Sequence, residues 1–130
     1  MKTLFTLAFT MSAVGLMAQN ANVVTAYNEM KDGNLARAAE FIEPATQDPK
    51  TGISEKTWRY RGDIYRLIAM GEDAALRQQF PDAVDKAIES YIKANELDTK
   101  GSYKLENGRA LRALQVTALN AGNDAFGGKD

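Results

Sequence analysis

Helical spacing of apolar residues dominates this 130-residue chain, and the helical segments are separated by glycine, proline and aspartate. No run alternates between apolar and polar residues as a half-buried strand would. Apolar positions instead recur three and four residues apart, which is the period of one helix face. We therefore predict an all-α fold of five helices in antiparallel hairpins, over residues 21–32, 34–47, 54–70, 82–97 and 105–126. The joins are predicted at residues 32–34, 48–52, 80–82, 98–101 and 127–128, where the breakers cluster.

The N-terminus has the layout of a secretory signal peptide, predicted over residues 1–18. Lys2 supplies a positive charge, residues 4–17 are mostly apolar, and Ala18 offers a small residue for cleavage. This apolar run is shorter than the ~20 residues that a helix needs to cross a bilayer, so stable membrane insertion is not expected. We predict cleavage after Ala18 and export of a domain over residues 19–130 to the periplasm or outer cell envelope of a bacterium.

Composition removes whole classes of function. The chain contains no cysteine and no histidine, which excludes thiol nucleophiles, disulfides, imidazole bases and the usual zinc ligands. Its formal charge of −1 does not favour nucleic acid as a partner, because phosphate neutralisation supplies most of that affinity. Ser90 and Lys93 form a Ser-x-x-Lys element, which is found in penicillin-interacting enzymes. The companion motifs of those enzymes, Ser-Asp-Asn and Lys-Thr-Gly, are absent from this sequence. We therefore expect no enzyme, no cofactor and no metal site.

The segment TWRYRGDIYR, residues 57–66, separates aromatic from charged side chains on the third predicted helix. Two sets of residues share an i, i+4, i+7 spacing on different faces: Trp58, Gly62 and Tyr65, and then Arg59, Asp63 and Arg66. Because this spacing buries the rings, base stacking on them is not expected. A glycine inside a helix costs about 1 kcal/mol relative to alanine, so a closely approaching neighbour is the expected compensation. The next long helix offers Tyr91, a bulky side chain between two alanines.

These residues resemble a tetratricopeptide repeat, in which a pair of helices repeats about every 34 residues. The matching positions are Trp58, Gly62, Tyr65, Ala87, Tyr91 and Ala94. Arg61 stands where leucine is usual, and Thr99 stands where the family has a closing proline. An insertion, Ile68 to Phe80, is expected to lengthen the hairpin, with Leu76 and Phe80 as its anchors.

The resemblance divides the domain into a weak repeat (21–50), a strong repeat with the insertion (54–99) and a half repeat (105–130). In the weak repeat, Ala38 and Ala45 keep the seven-residue separation of Ala87 and Ala94. The resemblance implies a short α-solenoid that stacks hairpins and holds a protein or peptide segment on its concave face. The residues expected there are Arg59, Asp63, Arg66, Leu67, Tyr27, Leu119 and Asn123.

Simpler and rival interpretations stay open. The charged face of the third helix, formed by Arg59, Asp63 and Arg66, is equally explained as a surface that only contacts solvent. Arg59 is also expected to be able to pair with Asp63 across one helical turn. A half repeat leaves Leu114, Ala118, Leu119 and Phe126 without a covering helix. On this interpretation the chain is a structural part of a longer repeat protein and this helix drives self-association, or the helix instead packs as a terminal cap. A small hydrolase or ligand carrier that uses hydroxyls and carboxylates is the third class.

Overall fold

Between residues 20 and 127 the chain folds into six helices and one short 3₁₀ turn. A computed structural model describes the backbone of these residues and the side chains of residues 20–122. The elements are α1 (described over residues 20–31), α2 (Leu35–Gln47), the 3₁₀ turn (Thr51–Ile53), α3 (Glu55–Met70), α4 (Ala74–Gln79), α5 (Ala83–Leu97) and α6 (Lys104–Gly127). The all-α prediction is confirmed, and no strand occurs in this range. The predicted signal peptide with its cleavage site at Ala18 lies outside the described residues.

Two of the predicted joins are made by glycines with a left-handed backbone. Gly33, between α1 and α2, has φ 82°, and Gly101, before α6, has φ 71°. A residue with a Cβ rarely adopts these angles, so glycine ends the preceding segment at both places. The predicted limits of α2, α3 and α5, the end of α1 and the start of α6 agree with the observed ones to within one residue.

Aspartates stabilise the turns that follow α2 and α5. Asp48 accepts hydrogen bonds from the backbone N–H groups of residues 50 (2.9 Å) and 51 (3.0 Å). Asp98 accepts them from residues 102 (3.2 Å) and 103 (2.8 Å). This backbone donation, strongest from Thr51 and Tyr103, lowers the pKa of both carboxyl groups because it favours the charged form.

The predicted insertion contains α4, a short helix that the apolar spacing did not reveal. The side chain of Asp73 caps it by accepting a hydrogen bond from the backbone N–H of Leu76 at 3.0 Å. Leu76 and Phe80 pack against the core, as predicted for the anchors. Phe80 meets the ring of Tyr65 edge-on, with a centroid distance of 6.2 Å. Six residues are too few to show a helical period, which explains why α4 was missed.

The core lies mainly between α3 and α5, with α2 packed on α3 and α6 packed on both α5 and α3. A Cβ added to Gly62 would lie 2.9 Å from Cε1 of Tyr91, so the predicted close approach is confirmed. The two alanine pairs with the same seven-residue separation are all fully buried, namely Ala38, Ala45, Ala87 and Ala94. Glycine and alanine thus set the distance between neighbouring helices.

α6 is covered on one side and open on the other. Asn107 and Leu114 are buried at an i, i+7 spacing, so α6 turns one face to the core. The prediction that Leu114 lacks a cover is therefore wrong, whereas Ala118 and Leu119 are exposed as expected. The side chain of Phe126 lies outside the described residues. No helix in the described part of the chain is both long and apolar enough to span a membrane.

Candidate functional site

The residues that sequence reasoning selected on α3 follow one stripe of that helix. Arg59, Asp63, Arg66 and Leu67 lie at spacings of three and four residues, and Met70 continues the stripe. All five side chains are partly or fully exposed, in contrast to the buried side of α3. The structure divides the stripe into two clusters that differ in their contacts.

Asp63 and Arg66 meet at the hydroxyl of Tyr91. Tyr91 Oη donates a hydrogen bond to Asp63 Oδ1 (2.5 Å), and Arg66 Nε donates to Tyr91 Oη (2.9 Å). Arg66 Nη2 also lies 3.5 Å from Asp63 Oδ1, which completes an ion pair. Burial, together with the nearby carboxylate of Asp63, raises the pKa of Tyr91, so its phenol stays protonated at neutral pH. Both charges are thus held in fixed positions on the edge of a groove between α3 and α6.

Arg59 is engaged within the protein rather than free for a partner. Its Nε lies 2.7 Å from Glu55 Oε1, one turn earlier, so the alternative pairing with Asp63 does not occur. Its guanidinium carbon lies 3.8 Å from the ring centroid of Tyr103 and 5.1 Å from that of Tyr60. Such cation–π contacts stabilise by about 0.5–2 kcal/mol. Arg59 therefore joins α3 to the segment that leads into α6.

The other predicted site residues lie at different places. Tyr27 on α1 stacks on Tyr60 with a centroid distance of 4.8 Å, which places it in the Arg59 cluster. Leu67 is partly exposed beside Arg66 on α3. Leu119 lies on the outer face of α6, away from the core. The side chain of Asn123 lies outside the described residues.

The groove between α3 and α6 encloses about 280 Å³ and contains a buried polar residue that sequence reasoning missed. Its lining includes Asp63, Arg66, Met70, Tyr91, Glu106, Asn107 and Arg109. Asn107 is 1% exposed, and its Nδ2 donates to Asn95 Oδ1 at 2.9 Å. Its Oδ1 has no hydrogen-bond partner among the described residues. A buried acceptor without a partner costs about 1–3 kcal/mol. Asn107 therefore lowers the folding stability of the protein in the absence of a partner.

Sequence reasoning also missed the polar network around Arg61. Arg61 is 6% exposed, and its Nε lies 3.1 Å from Glu43 Oε1. Its Nη1 donates to Ser90 Oγ at 2.8 Å and lies 3.2 Å from Glu89 Oε2. Tyr65 Oη donates to Glu43 at 2.5 Å, and burial followed by this bond raises the pKa of Tyr65. The network ties α2, α3 and α5 together.

The Ser-x-x-Lys element is explained by local contacts. Ser90 Oγ donates to the backbone carbonyl of Lys86 at 2.6 Å and accepts from Arg61. Lys93 Nζ instead lies 3.4 Å from Glu96 Oε2. These two side chains therefore have separate structural partners and do not form a nucleophile–base pair. The α3–α6 groove carries hydrogen-bonding side chains and charges of both signs.

Comparison with known proteins identifies no family for this chain. No protein-family model matches it, and no curated protein or solved structure is significantly similar to it. Its function is therefore inferred from the residues and distances given above.

Proposed function

We propose that this protein is an exported protein-interaction or scaffold module of the bacterial cell envelope, without enzymatic activity, and that its α3–α6 groove binds a segment of a partner protein. The observation that carries this proposal is Asn107, a buried residue that lines the groove and whose side-chain oxygen has no hydrogen-bond donor among the described residues. A partner that supplies the donor removes this cost on binding.

The chemistry of the groove indicates the kind of segment that it accepts. Arg66 and Arg109 supply positive charge, while Asp63 and Glu106 supply negative charge. Met70, which is exposed, adds an apolar contact at the rim. The volume of about 280 Å³ lies at the lower end of the range for ligand pockets, which suits one side chain of a longer segment. The expected partner is therefore a mixed-charge peptide segment that inserts one hydrogen-bond donor.

The packing of the helices supports a tetratricopeptide-like arrangement. Ala38 and Ala45 in α2 and Ala87 and Ala94 in α5 are buried in the same way at the same separation. Gly62 admits Tyr91 between α3 and α5, as the resemblance implies for the strong repeat. In that arrangement α1, α3 and α6 are the first helices of successive hairpins and line the inner surface. The α3–α6 groove then belongs to the surface that such modules use for binding.

The test selects binding peptides from a displayed library against the purified protein and measures their affinity by fluorescence anisotropy. Two groove variants, Met70→Asp and Arg109→Ala, are expected to weaken binding about tenfold, which corresponds to ~1.4 kcal/mol. Their matched controls, Ile53→Asp and Arg112→Ala, change similar exposed residues outside the groove and should bind as the parent does. Equal loss in variants and controls would place the binding site elsewhere.

A third variant separates binding from folding. Asn107→Leu removes the unpartnered oxygen but also the hydrogen bond to Asn95 Oδ1, so the two effects on stability oppose each other and stability should change by no more than ~1 kcal/mol, while peptide binding falls. A variant that loses stability and keeps its peptide affinity would show that Asn107 has a structural role only.

Export is tested separately by N-terminal sequencing of protein recovered from the envelope of a producing bacterium. An N-terminus at Gln19 is expected, and an intact N-terminus would contradict the signal peptide.

A further inference from the structure

The outer face of α6 is an apolar stripe with a positive charge at its centre. Leu105, Arg112, Val116 and Leu119 lie at i, i+7, i+11 and i+14, which places them on one face of the helix. The three apolar residues are 55–70% exposed, and their face is opposite the buried Asn107. None of these four side chains lines the α3–α6 groove.

A second apolar surface lies on the outer side of α5. It is a groove of about 580 Å³ whose floor is formed by Trp58, Ile88 and Ile92. Three carboxylates and one ammonium group surround it, from Asp85, Glu89, Glu96 and Lys93. Lys93 is already paired with Glu96 at 3.4 Å. Glu89 Oε2 in turn lies 3.2 Å from Arg61 Nη1, so the excess negative charge beside this exposed apolar area comes from Asp85.

The two surfaces are complementary in charge and similar in length. Residues 104–122 of α6 carry Lys104, Arg109 and Arg112 against Glu106, and of these Arg112 lies on the outer face, whereas Arg109 and Glu106 line the α3–α6 groove. The α6 face spans fourteen residues from Leu105 to Leu119, about 21 Å along the helix, and the α5 groove spans eleven residues from 85 to 96, about 16 Å. Pairing the α6 face with a copy of itself in antiparallel orientation would bring the Arg112 side chains toward each other, which is unfavourable.

We infer that the outer face of α6 docks into the α5 groove of a second copy of this chain. The contact is heterologous, because one copy contributes its α6 face and the other contributes its α5 groove. The α5 groove of the first copy and the α6 face of the second remain available for further copies. Copies therefore add head to tail and form a ring if the rotation closes or a row if it does not. Leu119 and Val116 of one copy cover Trp58 and Ile92 of the next, and Arg112 meets the carboxylates at the rim.

The test is sedimentation velocity of the purified protein over a range of concentrations, with one variant for each surface. Leu119→Asp places a charge on the α6 face, and Ile92→Asp places one in the α5 groove. Both positions are solvent-accessible (67% and 49% exposed), so circular dichroism should report unchanged helicity. The matched control is Ile53→Asp, at an exposed residue outside both surfaces.

The parent and the control are expected to sediment faster as concentration rises, and each variant alone should remain monomeric. An equimolar mixture of the two variants should recover dimers and stop there, because one intact α6 face meets one intact α5 groove. Dimers in the mixture without larger species therefore identify the head-to-tail contact. A parent that stays monomeric at all concentrations overturns the inference, and so does a mixture that remains monomeric while the parent associates. The peptide-binding measurement proposed above is independent of either outcome, since it uses a different groove.

Discussion

Replacing Gly62 with alanine tests the packing between α3 and α5 directly. An added Cβ would lie 2.9 Å from Cε1 and 3.0 Å from Cδ1 and Cζ of Tyr91. Distances this short force the ring or the helix to move. The ring is not free to turn away, because Tyr91 Oη is bonded to Asp63 at 2.5 Å and to Arg66 at 2.9 Å. The substitution therefore strains both the packing and the hydrogen bonds.

The expected magnitude follows from opposing effects. Overpacking a core typically costs about 1–3 kcal/mol, and weakening a hydrogen bond costs about 1 kcal/mol more. Alanine in a helix recovers about 1 kcal/mol relative to glycine. We expect Gly62→Ala to lower the free energy of unfolding by about 1–3 kcal/mol.

Gly108 in α6 provides a matched control, since a Cβ there would meet no atom within 4 Å. Gly108→Ala should keep only the gain in helix propensity and stabilise the protein by up to ~1 kcal/mol. Urea unfolding followed by circular dichroism should separate the two variants by about 1–2 M in midpoint, given a typical urea dependence of about 2 kcal/mol per M. If Gly62→Ala stabilised the protein as much as Gly108→Ala, the close approach of Tyr91 would be refuted.

Three further predictions concern the charged residues. Arg61→Leu should destabilise the fold by about 1–3 kcal/mol in urea unfolding because Glu43 loses its ion pair with Arg61 while keeping the bond from Tyr65, and adding Glu43→Gln should recover part of that loss. Arg59→Glu should cost about 1–3 kcal/mol by the same assay, whereas the exposed control Arg112→Glu should stay within ~0.5 kcal/mol. The lowered pKa of Asp98 means that its contribution is present above the unfolded-state pKa of ~3.9 and is lost as pH falls through the lower folded-state value. Thermal midpoints should therefore drop below about pH 4, and Asp98→Asn should flatten that part of the profile.

The helices were predictable because their signals are local. Apolar spacing located five of them, and Gly33 and Gly101 marked two of the joins. The contact between Gly62 and Tyr91 was also readable, since an internal glycine is costly unless a neighbour fills its space. Leu114 was misjudged because its cover comes from α5 and α3, which a one-sided repeat pattern does not reveal.

The candidate site was predictable only in part. Spacing placed Asp63 and Arg66 together on α3, but their shared bond to Tyr91 depends on how α5 packs. Asn107 and Arg61 were missed because both are polar residues at buried positions, and their partners lie 12 to 29 residues away along the chain. The sequence signal that was available for both residues is a polar side chain on an otherwise apolar helix face. Such a side chain is buried, and a buried polar group requires a hydrogen-bond partner.

Trp58 gives the protein a built-in optical probe. It is the only tryptophan in the chain, and its indole Nε1 donates to the carbonyl of Gly52 at 2.7 Å while its ring forms part of the α5 groove. Indole emission responds to the polarity and water around the ring, so fluorescence excited at the tryptophan band reports on this one location. Covering the α5 groove would shift the emission to shorter wavelength, whereas filling the α3–α6 groove would leave it unchanged. The emission wavelength of Trp58 thus distinguishes binding at the α5 groove from binding at the α3–α6 groove without any added label.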